Sequence, residues 1–309
     1  MKLLKFPSTF LLLVFVLQSS VFATDFKADP YLTKKFRLNG EGNLKVETSG
    51  SSIAVTGASG SQVIVDMYVK LNGREIEMED AEVERELDNY NLDISQSGNT
   101  ISVSVKKKNN SGRSKLSLSF RIQVPTEMSS RFQSSGGSIS VDGLNGEQEI
   151  ATSGGSIQVV NSRGYVNTHS SGGSFKLENF EGNIDVQTSG GSIKVNQLTG
   201  DLKVNTSGGS VNLSEINGSI LATTSGGSIR AQLSNVEKEL TMKSSGGSIT
   251  AVVPEGLGLD LDLSGGRVNS KLSNFSGEVK KDRILGKING GGIPVTMQSS
   301  GGSINLEFD

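Results

Sequence analysis

The sequence contains no cysteine and no tryptophan, and it has a single histidine, His169, and only five prolines. Without cysteine there is no disulfide framework, no thiol nucleophile and no cysteine-ligated metal. A lone histidine with no matching second base cannot form a catalytic triad or a histidine metal cluster. The formal net charge of −2 gives no electrostatic reason to expect nucleic acid as a partner. We therefore predict no catalytic, cofactor-binding or metal-binding residues.

The first residues show a pattern typical of a secretory signal. Lys2 and Lys5 precede the apolar run from Phe10 to Leu17, and Val21-Phe22-Ala23 matches a small-residue cleavage site. The apolar run is too short to span a membrane. We predict a signal peptide at residues 1–23, export to the periplasm, the outer surface or the medium, and no transmembrane segment after cleavage.

A repeat dominates the rest of the chain. The tripeptide Ser-Gly-Gly recurs at a constant interval of 18 and then returns at spacings of 20, 19 and 36, with starts at Ser135, Ser153, Ser171, Ser189, Ser207, Ser225, Ser245, Ser264 and Ser300. Equal spacing over many units indicates a stacked repeat architecture, in which a single unit cannot bury enough apolar surface to fold alone.

Each unit reads as two short strands joined by two turns. In residues 189–206 the turn SGGS leads into Ile193-Lys194-Val195, and the turn Thr199-Gly200 leads into the strand that starts at Leu202. Apolar and polar residues alternate in both strands, which is typical of β-structure. We expect the glycine pair to supply positive φ where the chain reverses.

Equivalent positions of successive units form columns of similar residues. An inward apolar column reads Ile139, Ile157, Phe175, Ile193, Val211, Ile229 and Ile249, and an outward polar column reads Ser140, Gln158, Lys176, Lys194, Asn212, Arg230 and Thr250. This predicts an all-β fold, a parallel β-helix or β-solenoid with about 18 residues per coil and about 4.8 Å between coils. Each unit would sit on the preceding one.

The register predicted by this alternation places Val195 and Val204 inside, and Lys194 and Lys203 outside. A second outward column contains Glu149, Asn167, Asp185, Lys203, Leu221 and Thr241. The two extra residues after Ser225 are expected to bulge outward between Gln232 and Asn235. An antiparallel meander of hairpins remains the alternative fold.

The chain before the repeats is less regular. We divide the chain after the signal peptide into two parts. The N-terminal part, at 24–130, consists of irregular β-coils with a helical flap, and the second part, at 131–309, is the regular SGGS-repeat solenoid. We expect one continuous domain from 36 to 309. The short helix is predicted in the acidic stretch from Glu75 to Asp88, because Ile76, Val83, Leu87 and Tyr90 fall at helical spacing.

Three motifs carry a resemblance to a known family. They are IQVP at 122–125, SSGGSISVDGLNG at 134–146 and INGGGIPVTMQSSGGSI at 288–304. In this order they resemble the bacterial "putative adhesin" domain family of unknown function, which is similar to the head domain of autotransporter-like adhesins, over about residues 40–309. The resemblance implies a β-helix and an envelope or surface location. It implies no catalytic residues.

The leading functional hypothesis is a non-enzymatic exported cell-envelope protein, an adhesin or binding scaffold that presents a rigid polar β-surface to an envelope or surface polysaccharide or protein. One alternative is a polysaccharide-active enzyme that uses Asp260 and Asp262, whose nearest outward neighbours are expected to be Thr241, Lys243 and Thr250. Another is an envelope sensor or assembly factor that binds a partner protein. The oligomeric state stays open.

Overall fold

The computed structural model describes residues 29–76, 80–108 and 115–309. The predicted signal peptide lies outside the described residues. The described part of the chain is all-β apart from one helix, Ala81–Leu87 (α1), so the predicted all-β class and the short N-terminal helix are confirmed. Within these ranges no helix has the length and apolar character needed to cross a bilayer.

The helix α1 is shorter than the acidic stretch in which it was predicted. It begins after Asp80, whose carboxylate accepts a hydrogen bond from the backbone N–H of Glu82 at 2.8 Å and so satisfies one of the free donors at the helix start. Val83 is fully buried against the core. Tyr90, predicted as part of the helix, is instead the first residue of a strand, while residues 77–79 lie outside the described part.

The strands fall into three groups along the chain. Ahead of the regular repeats they are Leu32–Arg37 (β1), Gly42–Thr48 (β2), Ser52–Ala58 (β3), Gln62–Leu71 (β4), Arg74–Glu75 (β5), Tyr90–Ser97 (β6), Thr100–Lys107 (β7), Leu116–Pro125 (β8) and Met128–Ser134 (β9). The repeats contain Ile139–Asp142 (β10), Asn145–Thr152 (β11), Ile157–Ser170 (β12), Phe175–Thr188 (β13), Ile193–Thr199 (β14), Leu202–Thr206 (β15), Val211–Thr224 (β16) and Ile229–Ser244 (β17). The C-terminal part contains Ile249–Val253 (β18), Leu259–Ser264 (β19), Arg267–Ser270 (β20), Phe275–Val279 (β21), Arg283–Ile288 (β22), Ile293–Ser299 (β23) and Ser303–Phe308 (β24).

Strands of the repeats pair in parallel with the equivalent strand of the next unit. Ile157 pairs with Phe175, Phe175 with Ile193, and Ile193 with Val211, so each partner lies one full repeat further along the chain. The antiparallel meander would require hairpin pairing inside each unit. The described repeats pair between units instead, and the meander is therefore wrong.

The predicted register is confirmed. Val195 and Val204 are buried, at 0% and 1% exposure, whereas Lys194 and Lys203 are exposed. Because side chains alternate along a strand, these four residues establish which face of the ladder each neighbour occupies.

Buried hydroxyl groups tie consecutive units together at the start of each Ser-Gly-Gly bend. The residues concerned are Thr152, Ser170, Thr188, Thr206, Thr224 and Ser244, all buried. Thr224 shows the pattern, since its Oγ1 donates to the carbonyl oxygen of Gly209 at 3.1 Å and accepts from the N–H of Gly227 at 3.2 Å. Each hydroxyl is thereby satisfied in the interior, as a buried polar group must be.

The second glycine of each bend is required for a different reason from the one predicted for the glycine pair. Neither Gly190 nor Gly191 has φ in the left-handed region. A Cβ atom on Gly191 would lie 2.0 Å from the carbonyl oxygen of Gly173, one unit earlier, so the second glycine permits the close approach of successive units. Positive φ occurs at the other turn, where Gly200 has a φ of +135°.

Four consecutive units also contain a left-handed residue that is not glycine. The chain bends at this residue, which is Asn161, Asn179, Gln197 or Glu215 in successive units, and the φ values lie between 49° and 56°. The side chain of Asn179 donates to Asn161 Oδ1 at 3.0 Å, so that the bends are linked from one unit to the next. Asparagine is one of the few side chains that tolerate this conformation readily.

Stacking order departs from chain order at both ends of the ladder. At the N-terminal end, β2 lies between β7 and β9, and β3 lies between β8 and β10. At the C-terminal end, β23 lies between β17 and β19, and β24 lies between β18 and β20. The expectation that every unit sits on its predecessor is therefore wrong at the ends, where non-consecutive segments interleave.

Antiparallel strands cover much of both ends. The strands β4 and β6 pair with β8 and β7, and β1 pairs with β4. At the other end β22 pairs with β19, and β21 pairs with β22. Covering strands satisfy edge N–H and C=O groups that would otherwise recruit other chains.

The two extra residues of β17 do not bulge where they were predicted. Gly218 still pairs with Val236, but Ile220 pairs with Leu240, so the insertion falls at residues 237–239, which are exposed. Leu233 and Val236 are each only 2% exposed. Because Leu233 and Val236 both fill the core, the two extra residues are accommodated after Val236.

Candidate functional site

Asp260 and Asp262 lie on the outward face of β19, as the alternation predicted, and both side chains are 40% exposed. The covering strand β22 brings a basic residue to each of them. Lys287 Nζ lies 3.6 Å from Asp260 Oδ1, and an Arg283 guanidinium nitrogen lies 3.5 Å from Asp262 Oδ1. Each of the two carboxylates therefore forms an ion pair within the protein.

The predicted neighbours of this carboxylate pair are wrong. Thr241 pairs with Thr296, which in turn pairs with Asp262, so β23 separates β19 from the strand that carries Thr241 and Lys243. Thr250 likewise pairs with Asn305 rather than with β19. The cause is the interleaved order of the C-terminal segments, which the chain order of the repeats does not reveal.

Asp260 also holds the triglycine turn of the motif NGGG. Its Oδ2 accepts a hydrogen bond from the backbone N–H of Gly292 at 3.1 Å. A Cβ atom on Gly291 would lie 2.4 Å from Asp260 Oδ1, and Gly290 and Gly291 have φ values of +85° and +84°. Only glycine fits this turn beside the carboxylate, so the contacts of Asp260 give it a structural role.

His169 is exposed and pairs with Gln187 in the next unit. Among residues 29–76, 80–108 and 115–309, no group of three or more histidine, aspartate or glutamate side chains is arranged to hold a metal ion.

The outward side chains of the first strand of each unit form one continuous row, which we call the basic column. In stacking order it contains Ala54, Ser140, Gln158, Lys176, Lys194, Asn212, Arg230, Thr250, Asn305 and Asn269. These ten positions include three cations and no carboxylate, although the whole chain has a net charge of −2. Beyond Ala54 the row continues to Arg121 of β8 and then to Asp66 of β4. Lys176 contacts Glu178 of the adjacent row at 3.1 Å, whereas Lys194 and Arg230 are exposed.

The outward row of the second strand differs because its charges neutralise one another. Arg131 contacts Glu149, and Lys203 Nζ lies 2.8 Å from Asp185 Oδ2. The hydrogen bond and charge of Asp185 raise the pKa of Lys203. Leu221 is 39% exposed on the same face. Ion pairs therefore reduce the positive charge of this row, in which Lys45 of β2 follows Arg131 and is exposed.

An ion pair bridges the bulge of β17 and an earlier unit. Lys238 Nζ lies 2.8 Å from Asp201 Oδ2. The hydrogen bond from Lys238 lowers the pKa of Asp201 below its ordinary value, and the same contact raises the pKa of Lys238. The exposed insertion is thus anchored against the ladder.

A cleft of about 1110 Å³ lies at the C-terminal end of the ladder, around β20 and the end of β24. Its apolar lining consists of Leu257, Val268, Leu272, Val279, Ile284, Ile288, Leu306 and Phe308. The sequence reasoning missed this cleft. The available signal was the set of apolar residues at 272–288, a stretch that lacks the Ser-Gly-Gly pattern.

Comparison with known proteins gives a family and several distant structures. No curated protein matches the chain. A solved structure described as a "putative adhesin" from Bacteroides fragilis is 13% identical, with a TM-score of 0.44 over 89% of this chain and 96% of the other. A "putative adhesin" from Parabacteroides distasonis is 12% identical, with a TM-score of 0.39 over 89% and 96% of the two chains. A "putative lipid binding protein" from the same species is 12% identical, with a TM-score of 0.35 over 91% and 97%.

The family is established by the sequence profile rather than by these structures. The profile described as Toastrack DUF4097 matches residues 63–307, which is most of the chain and includes the repeats and the interleaved C-terminal end. The chain therefore belongs to the Toastrack DUF4097 family.

Proposed function

We propose that the protein is a non-enzymatic binding scaffold of the cell envelope, in which the parallel ladders wind into a β-solenoid and present the basic column to an extended acidic polysaccharide. Each coil of this solenoid would contain about 18 residues, the length of one repeat. The observation that carries the proposal is the composition of that column, which has three cations and no carboxylate over ten stacked positions. The predicted signal peptide supports an exported location.

The spacing of the column suits an extended polymer. Lys176 and Lys194 occur in adjacent units, and Arg230 lies two units beyond Lys194, so the cations are separated by about 4.8 and 9.6 Å along the stack. Asn212 lies between Lys194 and Arg230, and Thr250 follows Arg230. Their amide and hydroxyl groups can bond sugar hydroxyls while the cations attract carboxylate or phosphate groups.

The rigidity of the surface supports binding without a large ordering cost. The column lies on strands whose inward neighbours are fully buried, such as Val195 and Leu213 at 0% and 2% exposure. Side chains on such a framework keep their spacing when the ligand is absent, which reduces the entropy lost on association.

The test is binding of acidic and neutral polysaccharides to the full mature chain, measured by biolayer interferometry at low and high salt. The substitution Lys194→Glu should lower affinity for an acidic polymer about tenfold or more, and Arg230→Glu should act in the same direction. Lys243→Glu is the matched control, because Lys243 is also exposed but belongs to the second-strand face. Binding should weaken as salt rises.

Two results would contradict the proposal. One is equal loss of binding in Lys194→Glu and Lys243→Glu, which would mean that only net charge matters. The other is time-dependent cleavage of any polysaccharide that disappears in Asp262→Asn, which would support the enzymatic alternative. Capture of one envelope protein at the basic column, with no polysaccharide bound, would favour the sensor or assembly alternative.

A further inference from the structure

The cleft at the C-terminal end has both apolar and polar lining residues, and none of the residues that the structure describes covers it. The last ladder strand, β20, ends at Ser270, while its neighbour β24 continues to Phe308. The hairpin of β21 and β22 forms a second wall, with Ile284 and Ile288 buried at its base at 2% and 4% exposure. The volume of about 1110 Å³ slightly exceeds the roughly 300–1,000 Å³ of small-molecule sites.

The mouth of the cleft carries an unusually exposed apolar side chain. Val279 lines the cleft and is 59% exposed. It pairs with Ile284 across the hairpin, so both side chains lie on the face turned toward the cleft. Leu285, at 43% exposure, lies on the opposite face of the same hairpin, beside Glu278.

The polar lining of the cleft is concentrated around the end of β20. Ser270 Oγ is buried and has no hydrogen-bond partner, which is costly for a hydroxyl in a folded protein. Lys271 follows it at the rim, and Glu255 and Glu307 supply two carboxylates. The rim therefore combines one ammonium group with two carboxylates and does not favour a purely anionic ligand.

We propose that this cleft binds a single-chain amphiphile, with its acyl chain against the apolar lining and a zwitterionic head group at the rim. The open apolar wall accounts for the chain, since burying methylene groups is the main source of affinity in such a site. The anionic part of the head group lies near Lys271 and accepts a hydrogen bond from Ser270. The cationic part lies near Glu255 and Glu307. This site is separate from the basic column and does not depend on the polysaccharide proposal.

The experiment titrates lysophosphatidylcholine of increasing chain length, below its micelle concentration, into the full mature chain by calorimetry. Affinity should rise about fourfold per added methylene until the chain fills the cleft, and then level off. A fatty acid of the same length should bind at least tenfold more weakly, because the rim carries more negative than positive charge. Val279→Glu should weaken binding tenfold or more, whereas Leu285→Glu, the matched control on the other face, should change it less than twofold.

A second variant separates a ligand contact from a structural role. Ser270→Ala removes a buried hydroxyl that lacks a partner, so it should raise the thermal midpoint of the free protein and at the same time weaken lysophosphatidylcholine binding about fivefold. A merely structural serine would not show these opposite changes. The proposal is overturned if no chain length binds, or if Val279→Glu and Leu285→Glu behave alike. It is also overturned if sedimentation shows a dimer that Val279→Glu dissociates, since a second copy would then cover the cleft.

Discussion

The second glycine of each Ser-Gly-Gly bend lies very close to the preceding unit, and this proximity leads to a specific prediction for Gly191→Ala. The added Cβ atom would lie 2.0 Å from the carbonyl oxygen of Gly173, whereas real Cβ contacts are essentially never shorter than 3.0 Å. The opposing atom belongs to the backbone and cannot rotate away. The two units must therefore separate by about 1 Å at this corner, as the difference between these two distances requires.

The cost follows from the hydrogen bonds at the same corner. Ser189 N–H donates to the carbonyl oxygen of Ser170 at 3.1 Å, Gly191 N–H donates to Thr188 Oγ1 at 3.4 Å, and that hydroxyl donates to Gly173 at 3.5 Å. The bond between Gly191 and Thr188 lies within one bend and is kept, but a separation of about 1 Å takes the two bonds that join the units beyond hydrogen-bonding distance. At about 1 kcal/mol net for each of these two bonds, the substitution should cost about 2 kcal/mol.

The assay is urea unfolding followed by far-ultraviolet circular dichroism. With a slope of about 3 kcal/mol per molar urea, Gly191→Ala should lower the midpoint by about 0.7 M. Gly190→Ala is the control on the adjacent residue, because its Cβ would meet its nearest atom, the carbonyl oxygen of Ser171, at an ordinary 3.7 Å. The control should change stability by less than about 0.5 kcal/mol. Equal midpoints for the two variants would refute the argument that the glycine column permits close stacking.

Three other predictions concern the register, the triglycine turn and an ion pair. Val195→Asp should lower the thermal midpoint sharply, because it places a charge in an apolar interior at a cost of several kcal/mol. Lys194→Glu should cost less than about 0.5 kcal/mol. If Lys194→Glu were the more damaging change, the register would be off by one residue. Asp260→Ala should cost about 1–2 kcal/mol by chemical denaturation, because Gly292 and Lys287 lose their partner, and an unchanged midpoint would contradict that role. The hydrogen bond from Lys238 lowers the pKa of Asp201 below its ordinary value of 3.8. The ion pair therefore stabilises the fold at pH values above 3.8, and this contribution is lost as the pH falls through the lower pKa of the folded state. Titration of the Asp201 carboxyl by nuclear magnetic resonance should show its pKa rising toward 3.8 in Lys238→Met, and no rise would rule out this cause.

Local pattern was sufficient to predict the ladder of the repeats. The constant interval between Ser-Gly-Gly bends and the alternation of apolar and polar residues determined the all-β class and the facing of Val195 and Lys194. Both features depend on residues close together in the chain, and side-chain alternation in a strand follows from backbone geometry alone. The short helix could be predicted for the same reason, although its start depends on the cap formed by Asp80.

Packing between distant segments decided the rest. Chain order could not show that β23 lies between β17 and β19, or that β24 lies between β18 and β20. Pairing between strands far apart in the chain depends on which strand edge of the folded structure is unpaired, and the local sequence does not contain this information. This interleaved order placed Thr296 beside Asp262 in place of the expected neighbours, and it left the end of β20 beside the open apolar cleft. The covering strand β22 supplied the partner Arg283. The reason for the second glycine of each bend is also tertiary, since the atom that a side chain would strike belongs to the preceding unit. Sequence by itself thus determined the repeating ladder and its outward face, while only the tertiary structure decided how the ladder ends and where a cleft is left between its last strands.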